Sequence, residues 1–178
     1  MIKMTLDEIK TMAVDRTNYP PDKIYLHWTA GRYEQLFEEY QFNITGDGDI
    51  YSKAYTLRSG GAHTYQRNTG AIGIALCCAY NASPNKYTGL AKGDYQPTLK
   101  QIDAMAKLIA VLAKKLEIAI EPENIMTHAE AADLDGYGPI TTCERWDLWK
   151  LKDYDDVVKD GGYVLRGKAK WYISKEIV

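Results

Sequence analysis

Cysteine is scarce in this chain. Cys77, Cys78 and Cys143 are the three present among 178 residues, and an odd number with two adjacent does not make a disulfide framework. Reduced thiols are the simpler reading, and a chain of this length buries enough apolar surface to fold without covalent staples. An excess of either charge is also missing: 22 Lys and Arg stand against 24 Asp and Glu, a formal net charge of −2. That excludes the global basic field that holds nucleic acid. No apolar run approaches the roughly 20 residues that span a bilayer. Met1 to Glu8 lacks the apolar core of a signal peptide, so the expectation is a chain that is cytoplasmic as synthesised, with no membrane span. Phenylalanine is nearly absent, with 2 Phe against 14 Tyr and 4 Trp. Rings with polar tips suit half-wet surfaces such as sugar or peptide grooves, and equally the edges of a core.

The order of elements is mixed. Thr5 with Glu8 reads as a capping box opening a helix that carries Leu6, Ile9, Met12 and Ala13 on one face. Ile24 to Thr29 reads as a central strand, and Tyr33 to Glu39 as a short helix. Residues 40–44 and 50–54 alternate around Gly46-Asp47-Gly48, a hairpin pattern. Asp47 and Asp49 lack the remaining ligands of a calcium loop and read as turn chemistry. The sequon Asn43-Ile44-Thr45 means little in a chain with no secretory signal. Ala71 to Cys78 is a continuous apolar run and reads as a buried strand in which both cysteines pack as small hydrophobes. Asn81 to Pro97 reads as a long surface loop. Thr98 with Gln101 is a second capping box, opening a strongly amphipathic helix through Leu116. Ile125 to His128 reads as a short strand, 133–144 as a loop, and Trp171-Tyr172-Ile173 as an extra strand or docked arm. This order predicts one α/β (α+β) domain with a central mixed sheet flanked by helices.

Chemistry concentrates on the histidines, of which there are three. His27 and His128 each end a predicted strand, and two strand ends can converge on one part of a sheet. His63 follows Gly60-Gly61-Ala62. A catalytic zinc site takes three protein ligands and keeps one position open. Two neutral imidazoles and one anion leave the ion enough charge to acidify water. The anions near His128 are Cys143 and Asp147, and spacing alone leaves both open.

Taken in order, these segments resemble the zinc-dependent N-acetylmuramoyl-L-alanine amidases, a group that includes phage lysozyme-type amidases and peptidoglycan recognition proteins. The resemblance runs from about Ile24 to Trp149, leaving 150–178 as an extension packed on the domain. Tyr25-Leu26-His27-Trp28-Thr29-Ala30 is similar to the strand bearing the first zinc histidine. Residues 40–44 with Gly46-Asp47-Gly48 resemble the family's Tyr-His-Phe strand and turn. Ala62-His63-Thr64 through Asn68, then Ile72-Gly73-Ile74, resemble the segment leading into the central strand. Pro97-Thr98 with Gln101 opens the family's long helix, and Thr127-His128-Ala129-Glu130 resembles the second zinc histidine.

The resemblance implies a third ligand, Cys or Asp, preceded two residues earlier by a Lys that stabilises the oxyanion. Arg145-Trp146-Asp147 reproduces that spacing with Arg for Lys, whereas Cys143 has Thr141 in the basic position. Asp147 is therefore favoured, with Cys143 as the alternative, although thiolate is the softer zinc ligand. Ala75 stands where many members place a catalytic Glu. Tyr40 matches the branch that uses a tyrosine instead, with Gln41 in place of the motif's His.

The implied activity is zinc-dependent hydrolysis of the amide between N-acetylmuramic acid and L-alanine in peptidoglycan. Tyr40 and Arg145 are the implied catalytic residues; His63 and Trp28 are candidates to contact substrate. Core packing competes as the role of Trp28 and of Trp146. The rival reading is a non-catalytic peptidoglycan recognition module, and a third is a zinc hydrolase of another amide. No separate wall-binding repeat is present, and the sequence leaves a phage lysin, a recycling enzyme and the oligomeric state open.

Overall fold

The computed structural model describes residues 1–83, 93–137 and 144–178. Ten short strands and four helices follow in the order β1 (Ile2–Met4), α1 (Leu6–Thr11), β2 (Ala13–Val14), β3 (Lys23–Trp28), β4 (Phe42–Ile44), β5 (Ile50–Ser52), β6 (Thr56–Leu57), β7 (Ala71–Leu76), α2 (Leu99–Leu116), β8 (Ile125–Thr127), α3 (His128–Asp135), β9 (Lys150–Lys152), β10 (Val158–Asp160) and α4 (Gly161–Ser174), with a 3-10 turn over Glu144–Trp146 before β9. Six strands form the central sheet in the order β1-β5-β4-β7-β3-β8. Its centre is parallel, since β3 pairs with β7 and β8, and β4 with β7, all in the same direction. β5 and β1 extend it antiparallel. The expected mixed sheet with helices is the architecture found.

Alternation along the strands divides the sheet into two chemically different faces. Ile24, Leu26 and Trp28 of β3, Phe42 and Ile44 of β4, and Ile72, Ile74 and Leu76 of β7 join the main core with the buried stripe of α2. The opposite face carries Tyr25 and His27, Asn43, and the small residues Ala71, Gly73 and Ala75. In register, Tyr25 pairs with Gly73, His27 with Ala75, and Asn43 with Ala75 from the other side. Small residues in the central strand thus leave room above the sheet beside His27.

Both expected capping boxes are formed, Thr5 with Glu8 and Thr98 with Gln101. Gln101 is fully buried and also donates from Nε2 to the carbonyls of Ile44 and Cys77, at 2.9 and 3.0 Å. The hairpin turn is closed by Gly48 N–H to Thr45 O at 2.8 Å, with Gly48 at φ +86°. Asp47 and Asp49 are held by Lys100 and Lys3. Asn43 of the sequon is fully buried, its amide bonded to the Phe37 backbone N–H and carbonyl. Cys77 and Cys78 are buried free thiols.

Three expectations are corrected. α1 ends at Thr11, and Ala13 instead starts β2, which pairs parallel with β6. Residues 33–39 form turns rather than a helix. Trp171-Tyr172-Ile173 lies inside α4, not a strand. Val164, Leu165, Ala169 and Tyr172 bury one face of that helix, so helical burial overrides local β preference. The expected loop at 81–97 falls partly, at 84–92, outside the described residues. The 133–144 loop begins only after α3 ends at Asp135, and its residues 138–143 lie outside them, Cys143 included. Among the described residues no helix is long and apolar enough to cross a membrane.

Candidate metal centre

His27 and His128 are brought together by the register of two parallel strands. Leu26 pairs with Thr127, so the next residue of each chain stands at the same level. After β8 the backbone changes there from strand to helix. Thr127 caps α3: its hydroxyl accepts from Glu130 N–H, and the Glu130 carboxylate accepts from Thr127 N–H at 2.9 Å. This third capping box makes His128 the first residue of α3. The two imidazole rings lie 4.9 Å apart, nearly edge to face.

Asp147 closes the set. It is stitched to both elements: its Oδ1 accepts from the Trp28 backbone N–H at 2.6 Å, and its carbonyl accepts from Ala129 N–H at 3.1 Å. Its Oδ2 then stands 3.0 Å from His27 Nδ1 and 3.0 Å from His128 Nδ1. The three donor atoms all lie within 4.8 Å of one another. His27 is fully buried, and the side chains of His128 and Asp147 are 12% and 9% exposed.

Burial pushes the His27 imidazole down, against the pull of Asp147, so the ring is neutral near neutral pH. Burial alone would raise the Asp147 carboxyl, but the facing His27 and His128 rings outweigh it and hold the group down. Neutral imidazole and ionised carboxylate are the forms that ligate a metal.

The donor set fits zinc in type, two nitrogens and one oxygen. The two 3.0 Å contacts to Asp147 Oδ2 would open by only a few tenths of an ångström to reach the about 3.4 Å that separates ligand atoms around a tetrahedral zinc. Each ring is backed on its far nitrogen by a hydroxyl, Thr64 Oγ1 at 3.2 Å from His27 Nε2 and Tyr137 OH at 3.1 Å from His128 Nε2. A hydroxyl donates or accepts, so this outer layer suits the tautomer that bonds Asp147 and equally the one that offers Nδ1 to a metal.

Tyr40 and His63 flank His27, with ring centroids at 5.0 and 5.3 Å. Burial pushes the Tyr40 phenol well up, so it keeps its proton. His63 is seated directly on Gly73, where a Cβ would fall 2.8 Å from its ring. Its Nδ1 meets Thr64 Oγ1 at 2.9 Å, its Nε2 has no partner among the described residues, and burial lowers it to about 3. It stands beside the donor set and not in it.

Two expected site residues are placed elsewhere. The Trp28 side chain belongs to the main core, as does that of Trp146; only the backbone N–H of Trp28 reaches the site. Arg145 donates from Nε to the Tyr137 carbonyl at 2.9 Å, and lines a cavity of about 410 Å³ with Glu130, Asp133 and Trp149. The contact described for it is with the chain that backs His128, not with the His-His-Asp group. Thr64 and Tyr137 are functional neighbours that sequence reasoning misses. Adjacency to His63 is the one signal Thr64 offers, and Tyr137 offers none.

No curated protein matches the chain. Among solved structures it is similar to the endolysin N-acetylmuramoyl-L-alanine amidase LysCS of Clostridium intestinale URNW (20% identity, 68% of this chain and 78% of that one, TM-score 0.46). It is similar also to the Ph2119 endolysin of a Thermus scotoductus MAT2119 bacteriophage (20%, 67% and 77%, 0.44) and to Drosophila peptidoglycan recognition protein SA (19%, 65% and 72%, 0.42). A sequence model described as N-acetylmuramoyl-L-alanine amidase matches residues 17–145, a stretch that contains His27, Tyr40, His63 and His128 and stops two residues short of Asp147. With most of its length inside that match, the chain belongs to the N-acetylmuramoyl-L-alanine amidase family.

Proposed function

We propose that this protein is a zinc-dependent peptidoglycan hydrolase that cleaves the amide between N-acetylmuramic acid and the L-alanine of the stem peptide. One observation carries the reading: in a member of this family, His27, His128 and Asp147 each offer a ligand atom, and these atoms all lie within 4.8 Å of one another. These three residues would hold the ion. When bound, zinc supplies a Lewis acid that polarises the scissile carbonyl and lowers the pKa of the attacking water to about 7.

The chain's own residues do the rest. Tyr40, held protonated beside His27, is a hydrogen-bond donor toward the reacting oxygen and not a base. Thr64 and Tyr137 fix the two ring orientations. Arg145, which the family spacing implies for the oxyanion, is held through Nε by the carbonyl of Tyr137, the residue that backs His128. His63 covers the Gly73 part of the floor of small residues beside His27.

The test is bound zinc and peptide release from purified peptidoglycan, for wild type, Asp147→Ala and Cys143→Ala. The expected result is about one zinc per chain, L-alanine-led peptides as product, and loss of both in Asp147→Ala alone. Loss in Cys143→Ala alone keeps the hydrolase and reassigns the third ligand. A wild type that binds peptidoglycan with no zinc and no release makes the chain a recognition module.

A further inference from the structure

The stretch matched by the family ends at residue 145, yet the helix that follows reaches back to the metal centre. An ordinary capping-box carboxylate bonds its own helix and leaves its remaining capacity to water. Glu130 does not. Both its oxygens are taken by Arg166 of α4 in a two-pronged ion pair, Nη1 to Oε2 at 2.7 Å and Nη2 to Oε1 at 2.7 Å. Nη1 donates also to the Ile125 carbonyl at 2.9 Å. One guanidinium therefore holds the strand that leads into His128 and the carboxylate that caps the helix His128 begins. Its side chain is only 11% exposed, where a charge-assisted fork is at its strongest.

The backbone of α4 is shaped to the same contact. Gly162 lies one turn before Arg166, and a Cβ there would fall 2.2 and 2.4 Å from the two Glu130 oxygens. At Gly161 a Cβ would fall 1.9 Å from the carbonyl of Leu148, the residue after Asp147, and Gly161 N–H donates to Trp149 O at 2.8 Å. The glycine pair lets the helix start pass close to the flanks of two of the three converging residues. Gly167 is different: a Cβ there meets nothing within 4 Å.

We infer that α4 is a positioning element of the metal centre, and that Arg166, acting through Glu130 and the Thr127 cap, sets the place and angle of the His128 ring. This rests on the zinc reading above. A residue that orients a ligand from outside the coordination shell is worth about 10–100-fold in metal affinity. Arg166 acts one step further out, so the lower end of that range applies. The fork matters as well as the charge, because Lys presents a point charge and cannot hold both oxygens and the Ile125 carbonyl together.

The experiment compares full-length Arg166→Gln, Arg166→Lys and Gly162→Ala with Gly167→Ala and Lys170→Ala, both on α4. Lys170 pairs with Glu121 in an exposed contact away from Glu130. Zinc affinity is read by competition with a chelator, and the side-chain NMR signals of His27 and His128 are read in metal-free protein. Roughly tenfold weaker zinc binding is expected for Arg166→Gln and Gly162→Ala, with Arg166→Lys between them and wild type and both controls unchanged. In metal-free protein the His128 signals should move and those of His27 should not. Zinc affinity within twofold of wild type in Arg166→Gln, with unmoved His128 signals, overturns the inference. Equal movement of His27 and His128 overturns it too, since that is general loosening. If wild type binds no zinc, the zinc reading fails on its own, and the metal-free His128 signals still decide whether α4 positions the ring.

Discussion

At the scale of the residue, Asp147 holds most of the site together. Its two carboxylate oxygens and its carbonyl accept from β3, from α3 and from both imidazoles. Asp147→Ala should therefore cost more than zinc. It leaves the buried Trp28 N–H without its acceptor, for which about 1–3 kcal/mol of stability is expected to disappear, read by denaturant unfolding of metal-free protein. A loss below about 0.5 kcal/mol would show that water takes over. His63 gives a prediction in pH. Its folded value is lowered to about 3 by burial against 6.5 for an ordinary histidine. The unfolded chain then binds the proton first. The stability His63 contributes is present above pH 6.5 and is lost as pH falls toward its folded value, about 2 kcal/mol by pH 5. Unfolding measured at pH 7 and pH 5 should show a shallower acid loss in His63→Asn than in wild type. Parallel slopes would remove His63 as the source.

At the scale of the element, α4 offers a clean contrast between its glycines. Gly167 is exposed, helical and surrounded by open space, so Gly167→Ala should stabilise the protein by about 0.5–1 kcal/mol. Gly162→Ala, where the added Cβ would fall 2.2 and 2.4 Å from the two Glu130 oxygens, should destabilise it. Thermal midpoints moving in opposite directions would confirm this, and a common direction would refute it. The same helix shows where sequence reading stops. His27 and His128 are legible because each lies at the end of a segment with a strong local strand pattern, one residue before the end of β3 and one after the end of β8, and parallel neighbours put such ends side by side. Asp147 is legible through the spacing of a family motif. The convergence of hydroxyls behind the rings is not legible, because Thr64 and Tyr137 have no signature apart from position. Nor is β1, three residues long at the sheet edge, where pairing with β5 and not intrinsic preference makes a strand. Trp171-Tyr172-Ile173 misleads because its β preference is local, whereas the burial of Val164, Leu165, Ala169 and Tyr172 that fixes a helix is tertiary.

At the scale of the whole molecule, the core and the metal centre lie on opposite faces of one sheet. The core is closed by α2 and α4 and includes none of His27, His128 and Asp147. Chelation should consequently leave the fold intact: far-UV circular dichroism of the EDTA-treated protein is expected to match that of the zinc-loaded form. The thermal midpoint should fall on treatment and return with zinc, as expected for a ligand bound by the folded state alone. Unfolding on chelation would contradict the separation of core and site. The separation has a consequence in time. His27 and Asp147 meet across 120 positions of chain, a contact that local folding cannot make early. During synthesis the first imidazole emerges long before its carboxylate, and Arg166 emerges later still. A nascent chain is thus an incomplete chelator until Asp147 has left the ribosome, and any hydrolytic capacity of the site is withheld for the same interval.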